Sequence, residues 1–130
     1  MVTFLRSAGW TLQDHVENDG WSGACFAEQR LLITFANEVS VEQGNASALW
    51  CAKGLALRPC EVVFDTRALM GYPSEMRAAW QEHVWRLRHQ MLRVALVSNH
   101  NLHRMGLAMF GLALSVPTST SKTPEDYLRT

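Results

Sequence analysis

Cysteine is scarce in this sequence, and its few copies follow neither a disulfide nor a metal-binding pattern. The chain of 130 residues contains 3 cysteines, Cys25, Cys51 and Cys60, and no two of them form a Cys-x-x-Cys pair. An odd number of widely spaced cysteines indicates reduced thiols instead of a disulfide framework or a zinc site. We therefore expect buried free cysteines in a cytoplasmic protein that carries no metal and no cofactor.

A hydrophobic run long enough to cross a membrane is also absent. The most apolar window, 105–116, is interrupted by Gly106, Gly111 and Ser115, and it falls short of the roughly 20 apolar residues that a membrane-spanning helix needs. The first residues, Met-Val-Thr-Phe-Leu-Arg-Ser, lack a charged region followed by an apolar core. We therefore expect no signal peptide and no transmembrane segment.

The sequence has no excess charge of either sign, with 12 basic and 12 acidic residues. A near-neutral chain without an extended basic run argues against general nucleic-acid binding. The charges are unevenly placed, because residues 1–65 carry 8 acidic and 4 basic residues whereas residues 66–130 carry 4 and 8. The basic half could attract an anionic partner, or it could be a solvated surface with no binding role.

Strand-like and helix-like patterns alternate along the chain and predict a single α/β domain over 1–130, with its core at about 21–128. Residues 1–20 form an N-terminal extension whose pattern fits no single element. The alternation of Leu31, Ile33 and Phe35 with smaller or polar residues is typical of a strand with one buried face. Ser40 and Gln43 match a capping box, which marks the start of a helix.

We expect the following elements in chain order: a β-hairpin of strands 21–27 and 31–36, a helix over 40–57, a strand over 61–65, a loop over 66–73, a helix capped by Ser74 whose apolar stripe runs to Met91, a strand over 93–98, a helix over 102–114, an edge strand within 115–122 and a short helix from Thr123. The strands over 61–65 and 93–98 are joined by a full helix and must run parallel. The predicted fold is a mixed sheet of four to five strands with an N-terminal hairpin, parallel central strands and helices packed mainly on one face.

Candidate binding residues follow the two predicted parallel strands, because ligand groups in open α/β sheets gather beyond the carboxyl ends of such strands. Eight side chains at these ends are candidates for a binding or regulatory site: Asp65, Arg67, Tyr72, Ser74, Ser98, Asn99, His100 and His103.

Several of these candidates also have a purely structural interpretation. Ser74 can bind an anion such as phosphate at a helix start, or it can be only the helix N-cap. Asp65 can simply accept hydrogen bonds from the loop amides that follow it. His100 and His103 have a spacing that suits a metal, but two ligands do not make a zinc site. Ser74, His100 and Asp65 would be the members of a hydrolase triad, although Ser74 stands in Gly-Tyr-Pro-Ser-Glu and not in a Gly-x-Ser-x-Gly elbow.

Two residues of the helix after the loop have further interpretations. His83 falls on the apolar stripe, which favours a core position. Trp85 falls opposite that stripe and is flanked by Arg77, Gln81 and Arg88. It is either an interface anchor, which a homodimer could use, or a shielded surface residue.

The segment Val62–Trp80 (Val-Val-Phe-Asp-Thr-Arg-Ala-Leu-Met-Gly-Tyr-Pro-Ser-Glu-Met-Arg-Ala-Ala-Trp), followed by Arg-Val-Ala-Leu-Val-Ser at 93–98, resembles the STAS domain superfamily. This superfamily includes the anti-sigma factor antagonists of the bacterial sporulation type (SpoIIAA-like). Within it, the chain is most similar to small bacterial proteins described as STAS-like or CRAL-TRIO-like. The resemblance covers residues 21–128, through strand order and two strand–helix junctions, and implies a STAS-like fold.

The same resemblance implies a role for Ser74. In anti-sigma factor antagonists a strand ends in Asp, and the next helix begins with Asp-Ser, whose Ser is phosphorylated by a partner kinase. Counted from Asp65, that serine falls on Ser74, with Pro73 in place of the preceding Asp. The similarity therefore implies a non-enzymatic regulatory or protein-binding module. The CRAL-TRIO-like comparison implies instead a small apolar-ligand or lipid-binding protein, for which the apolar helix over 102–114 is the candidate.

Overall fold

The structure is a computed structural model of the protein, and it describes residues 1–100 and 115–130. Its helices are α1 (Val2–Ser7), α2 (Val41–Leu57), α3 (Glu75–Val84) and α4 (Pro124–Leu128), and a 3-10 helix covers Trp85–Gln90. Its strands are β1 (Leu12–Glu17), β2 (Trp21–Phe26), β3 (Arg30–Glu38), β4 (Cys60–Gly71), β5 (Met91–Val97) and β6 (Thr118–Ser121). None of the helices in these ranges is long and apolar enough to cross a membrane. The predicted helix over 102–114 lies outside the described residues.

The described strands form one mixed sheet in the order β1-β2-β3-β4-β5-β6. Strand β2 pairs antiparallel with both β1 and β3, which confirms the hairpin of β2 and β3. Strands β3 to β6 run parallel, which confirms the predicted parallel arrangement of the strands at Val62 and Val94, and Val62 lies opposite Val94. The sheet has six strands, more than the four to five expected, because the polar edge strand β1 shows no clear alternation in the sequence.

Gln43 connects the start of α2 to the turn between β1 and β2. Gln43 N–H donates to Ser40 Oγ at 3.2 Å, and Ser40 N–H donates to Gln43 Oε1 at 2.8 Å, so the predicted capping box is confirmed. Gly20, in the neighbouring turn, has a φ of +79°. A Cβ on Gly20 would lie 2.7 Å from Gln43 Oε1, so both the backbone angle and the space favour glycine there.

Small residues of α2 face the sheet and α3. The buried positions of this helix are Gly44, Ser47, Ala48, Cys51, Ala52 and Leu55. A Cβ on Gly44 would lie 2.9 Å from Met76 Cγ. The absence of a side chain at this position therefore lets α3 approach α2 closely.

Strand β4 continues through most of the segment that the sequence predicts as a loop over 66–73. It pairs with β3 as far as Gly71, which lies opposite Glu38. Its pairing with β5 ends earlier, at Asp65 opposite Val97. The loop prediction was wrong for 66–71, because this half of β4 pairs with β3 alone among the described strands and lacks the continuous apolar run of a central strand.

Helix α3 is shorter than its apolar stripe predicts. The helix ends at Val84, and Trp85–Gln90 forms a tighter 3-10 helix before β5 begins at Met91. Gln90 Nε2 donates to the carbonyl oxygen of Leu55 at 3.1 Å, which anchors this segment to the end of α2. The prediction of one helix to Met91 was wrong. Side chains three residues apart lie close together in an α-helix and in a 3-10 helix, so the apolar stripe does not show where one becomes the other.

Both faces of the sheet are covered, with the two longer helices on the same face. The core under α2 and α3 contains Phe64 and Trp80. The core on the opposite face joins Leu5 of α1 and Tyr127 of α4 to strand residues such as Val63. The prediction of helices mainly on one face is therefore confirmed, and α1 and α4 are short additions on the other face.

The cysteines are free thiols in different environments. Cys51 and Cys60 are buried as predicted, whereas Cys25 is only half-buried. Burial raises the pKa of the Cys51 and Cys60 thiols, which favours the unreactive protonated form. The prediction of burial was wrong for Cys25, whose sulfur lies near the surface with Arg58 Nη2 at 3.8 Å.

The carboxylate of Glu61 in β4 holds a buried charge cluster on the face covered by α1 and α4. Arg93 Nε of β5 donates to Glu61 Oε1 at 2.6 Å, and Arg30 Nε of β3 lies 3.2 Å from Oε2. The Tyr127 hydroxyl of α4 donates to the same Oε2. Burial, together with this hydrogen bond, raises the pKa of Tyr127. Glu61 therefore connects three neighbouring strands to the C-terminal helix.

We predict that Glu61→Gln lowers the free energy of unfolding by roughly 2 to 4 kcal/mol, because two partly buried arginines lose their counter-charge. Urea denaturation followed by circular dichroism measures this loss. The control is Asp126→Asn, which removes the exposed Asp126–Arg129 pair and should cost less than about 1 kcal/mol. Equal losses from the two variants would contradict the structural role of Glu61.

Candidate functional site

The carboxyl ends of β4 and β5 meet at one rim of the sheet. Asp65 and Val97 form the last pair between these strands, so Asp65 and Ser98 lie at the same rim. This is the juxtaposition that the sequence predicts for the two groups of candidate residues. The question for the rim is whether its polar side chains are available to a ligand.

Asp65 is bound within the protein by Arg67. Arg67 donates from Nε to Asp65 Oδ1 at 2.9 Å, from Nη2 to Oδ2 at 3.0 Å, and from its backbone N–H to Oδ1 at 3.2 Å. The side-chain hydrogen bonds to Asp65 raise the pKa of Arg67. Asp65 is 4% exposed, so its carboxylate is held in the structure. This arrangement supports the structural interpretation of Asp65, as an acceptor for its own following residues.

The residues after β5 begin a turn. The buried Ser98 hydroxyl accepts the backbone N–H of His100 at 3.0 Å, and both Asn99 and His100 are exposed. His103 and the apolar window 105–114 lie outside the described residues, so the histidine pair and the apolar-ligand hypothesis stay predictions. Within residues 1–100 and 115–130, no group of three His, Cys, Asp or Glu side chains is placed to hold a metal ion.

Tyr72 and Ser74 do not share the position of Asp65. Asp65 and Gly71 lie opposite Thr34 and Glu38 of β3, which at about 3.3 Å per residue are roughly 13 Å apart. The Asp65 side chain also alternates with that of Phe64, which packs under α3, so Asp65 faces the other side of the sheet. The sheet therefore separates Asp65 from Ser74 at the start of α3, and this placement does not favour the triad with His100.

A continuous exposed surface runs along the outer side of α3 and the 3-10 helix. Its members, which we call the α3 face, are the exposed residues Tyr72, Ser74, Arg77, Trp85 and Arg88 and the half-buried Gln81. Tyr72, Ser74 and Arg77 line one shallow depression, and Gln81 and Trp85 line a second together with Glu82 and Arg86. Positions three and four apart lie on the same side of a helix. The two depressions are therefore neighbours along one surface.

The hydroxyl of Ser74 makes no cap hydrogen bond. Ser74 itself has helical backbone angles, φ −60° and ψ −29°, whereas an N-cap residue that bonds the first amides has extended angles. The carbonyl of Pro73 accepts the Met76 N–H instead, at 3.1 Å. The prediction of a side-chain cap at Ser74 was wrong for this reason, and the exposed hydroxyl lies beside Tyr72 and Arg77 on the α3 face.

Trp85 and Arg88 form a fixed pair on this surface. The Arg88 guanidinium lies 4.0 Å from the centroid of the Trp85 ring, a cation–π contact, and Arg88 Nη1 donates to the carbonyl oxygen of Trp85 at 2.8 Å. Trp85 remains 46% exposed. An exposed indole held in place by an arginine is typical of an interface anchor, since Trp and Arg dominate the binding energy of many protein interfaces.

Sequence reasoning considered Ser74 and Trp85 separately and missed that they belong to one surface. The signal was present, because Ser74, Arg77, Gln81 and Trp85 follow helical spacing opposite the apolar stripe. His83 is half-buried at the edge of that stripe. The Glu61 cluster was also missed. No local pattern could have indicated it, because its members are 31 to 97 residues apart along the chain and meet only in the tertiary structure.

No family model matches the chain, and no curated protein matches it. One solved structure that does match is described as an uncharacterized protein of the DUF3478 family with a SpoIIAA-like fold, from Shewanella loihica PV-4. The two share a TM-score of 0.65 and 11% sequence identity, and the match covers 92% of this chain and 93% of the other. This chain has the SpoIIAA-like fold. The predicted STAS-like fold is thereby confirmed, and identity this low shows the fold alone.

We predict that Trp85→Phe in this SpoIIAA-like domain gives the largest single decrease in acrylamide quenching of tryptophan fluorescence, because Trp85 is the tryptophan counted among the exposed large side chains. Stability should change by less than about 1 kcal/mol, as for most surface substitutions. The matched control is Trp80→Phe, which removes an indole that is 3% exposed. A larger decrease in quenching from Trp80→Phe would contradict the orientation of α3.

Proposed function

We propose that this protein is a cytoplasmic, non-enzymatic regulatory module that binds a protein partner through the α3 face. The observation that carries the proposal is the Trp85–Arg88 pair, an exposed indole in cation–π contact with an arginine on a surface that continues to Tyr72 and Ser74. The free thiols of its cysteines suit a reducing compartment.

A non-enzymatic role is supported by the positions of the candidate catalytic groups. Asp65 is held by Arg67 on one side of the sheet, and Ser74 lies at the start of α3 on the other side. A nucleophile needs a base within hydrogen-bond reach, and this pairing of Asp65 with Arg67 leaves Ser74 without the proposed triad partner.

Site-specific photocrosslinking in cells tests the binding surface. A photoreactive residue replacing Gln81 should give a discrete adduct with another protein, and Trp85→Ala should reduce its yield roughly ten-fold or more, as expected for a central aromatic anchor. The control position is Arg6, which is exposed on α1 at the opposite face of the sheet. Adducts of equal yield from both positions, or adducts that do not respond to Trp85→Ala, would contradict the proposed surface.

We further propose that phosphorylation of Ser74 regulates this surface. The Ser74 hydroxyl is exposed, makes no cap hydrogen bond and shares a depression with Arg77. A phosphate there would attract the Arg77 guanidinium, and it would repel Glu75 at the next position. The added negative charge, and its pairing with Arg77, would change the charge that the α3 face presents to a partner.

Ser74→Asp should therefore change the yield of the adduct from position 81 several-fold, while the urea midpoint stays within the error of the wild-type value. Ser74→Ala is the matched control and should leave the yield unchanged, because the hydroxyl makes no cap bond. An unchanged yield with Ser74→Asp would show that negative charge at this position does not regulate binding.

A further inference from the structure

Most described arginine side chains are bound by acceptors of this chain. Glu61 holds two of them, Asp65 and Asp126 hold one each, and the carbonyl oxygen of Phe26 accepts from a fifth. The arginines bound in this way are Arg30, Arg58, Arg67, Arg93 and Arg129. Carboxylates neutralise the charges of Arg30, Arg67, Arg93 and Arg129 within the fold. Arg58 differs, because its partners Phe26 O and Gln13 Oε1 hold the guanidinium in place without a counter-charge.

The arginines around Trp85 differ from these. Within the described part of the chain, Arg77, Arg86 and Arg88 have no carboxylate within ion-pair distance, and Arg88 interacts with the ring and the carbonyl oxygen of Trp85. Glu82 lines the same depression as Trp85 without pairing to any of the three. No Asp or Glu occurs between Glu82 and Glu125 in the sequence. The α3 face therefore presents two guanidinium charges, those of Arg77 and Arg88, with Arg86 beside them, and none of the three has an ion-pair partner among the described residues.

The chemistry that satisfies this surface is a carboxylate beside an apolar side chain. Guanidinium groups bind carboxylates through two parallel hydrogen bonds, and an exposed indole buries apolar surface against a partner side chain. From Arg77 to Arg88 the helices rise roughly 18 Å, at about 1.5 Å per α-helical and 2.0 Å per 3-10 residue. A partner that reaches both arginines must span this length.

We propose that the partner of the α3 face is an acidic protein segment, with carboxylates that pair with Arg77 and Arg88 on either side of an apolar side chain seated on Trp85. This inference rests on the proposed function and specifies its partner chemistry. A segment of about 12 helical residues has the required length. The charge complementarity also accounts for the proposed effect of Ser74, since a phosphate beside Arg77 competes with a partner carboxylate.

A random peptide library displayed on phage, with inserts of about 12 residues to match this span, tests the partner chemistry without assuming a sequence. The full-length protein is immobilised and selected peptides are compared between variants. We expect enrichment of peptides that combine two or more Asp or Glu residues with an aromatic or aliphatic residue. Arg77→Gln with Arg88→Gln should weaken their binding roughly ten-fold or more, with a steep dependence on salt.

Arg6→Gln is the matched control, because Arg6 is exposed and unpaired among the described residues but lies on α1 at the opposite face. An equal loss of binding with Arg6→Gln would overturn the inference, and so would selected peptides without acidic enrichment. The inference would also be overturned if an oligothymidylate bound to Arg77 and Arg88 with higher affinity than the selected peptides do. Peptides that depend on Trp85 but are neutral would refute the acidic partner and leave the proposed function standing, whereas the absence of any Trp85-dependent peptide would refute both.

Discussion

Strand β4 pairs with β3 along its whole length but with β5 only as far as Asp65, and the placement of α3 follows from this difference. Past Asp65 the strand pairs with β3 alone among the described strands, and it carries the chain away from the rim shared with β5 before α3 begins. Tyr72 and Ser74, which follow Asp65 within ten residues of the sequence, are therefore removed from it in space. As a result, the candidate binding surface is the outer side of a helix and not the rim where parallel strands end.

Aromatic packing under α3 determines which side of that helix faces solvent. The ring centroids of Trp80 and Phe64 are 4.9 Å apart at an interplanar angle of 72°, an edge-to-face contact, and Phe64 stacks on Phe35. Because the large Trp80 side chain is held against the sheet, the side chains on the opposite side of α3 must point outward. The exposure of Trp85 is thus a consequence of the core, and the 3-10 helix keeps it on the same surface as Arg77.

The two faces of the sheet use arginine in opposite ways. On the face of α1 and α4, Arg30 and Arg93 are bound to the buried carboxylate of Glu61, where they stabilise the contact between three strands and the C-terminal helix. On the α3 face, Arg77 has no such acceptor. A guanidinium group that is not bound within the fold is available to a partner, so this division of charge supports a stabilising role for one face and a binding role for the other.

The sequence by itself determined the elements whose signals are local. The Ser40–Gln43 capping box, the hairpin of β2 and β3 and the parallel pairing at Val62 were predictable, because each depends on residues close in the chain or on the geometry of a single crossover. Only the tertiary structure decided how far β4 extends, where α3 becomes a 3-10 helix, and that Glu61 joins Tyr127 across 66 residues. These features depend on which neighbour satisfies a backbone or charged group, and a hydrogen bond between distant residues leaves no pattern in the local sequence.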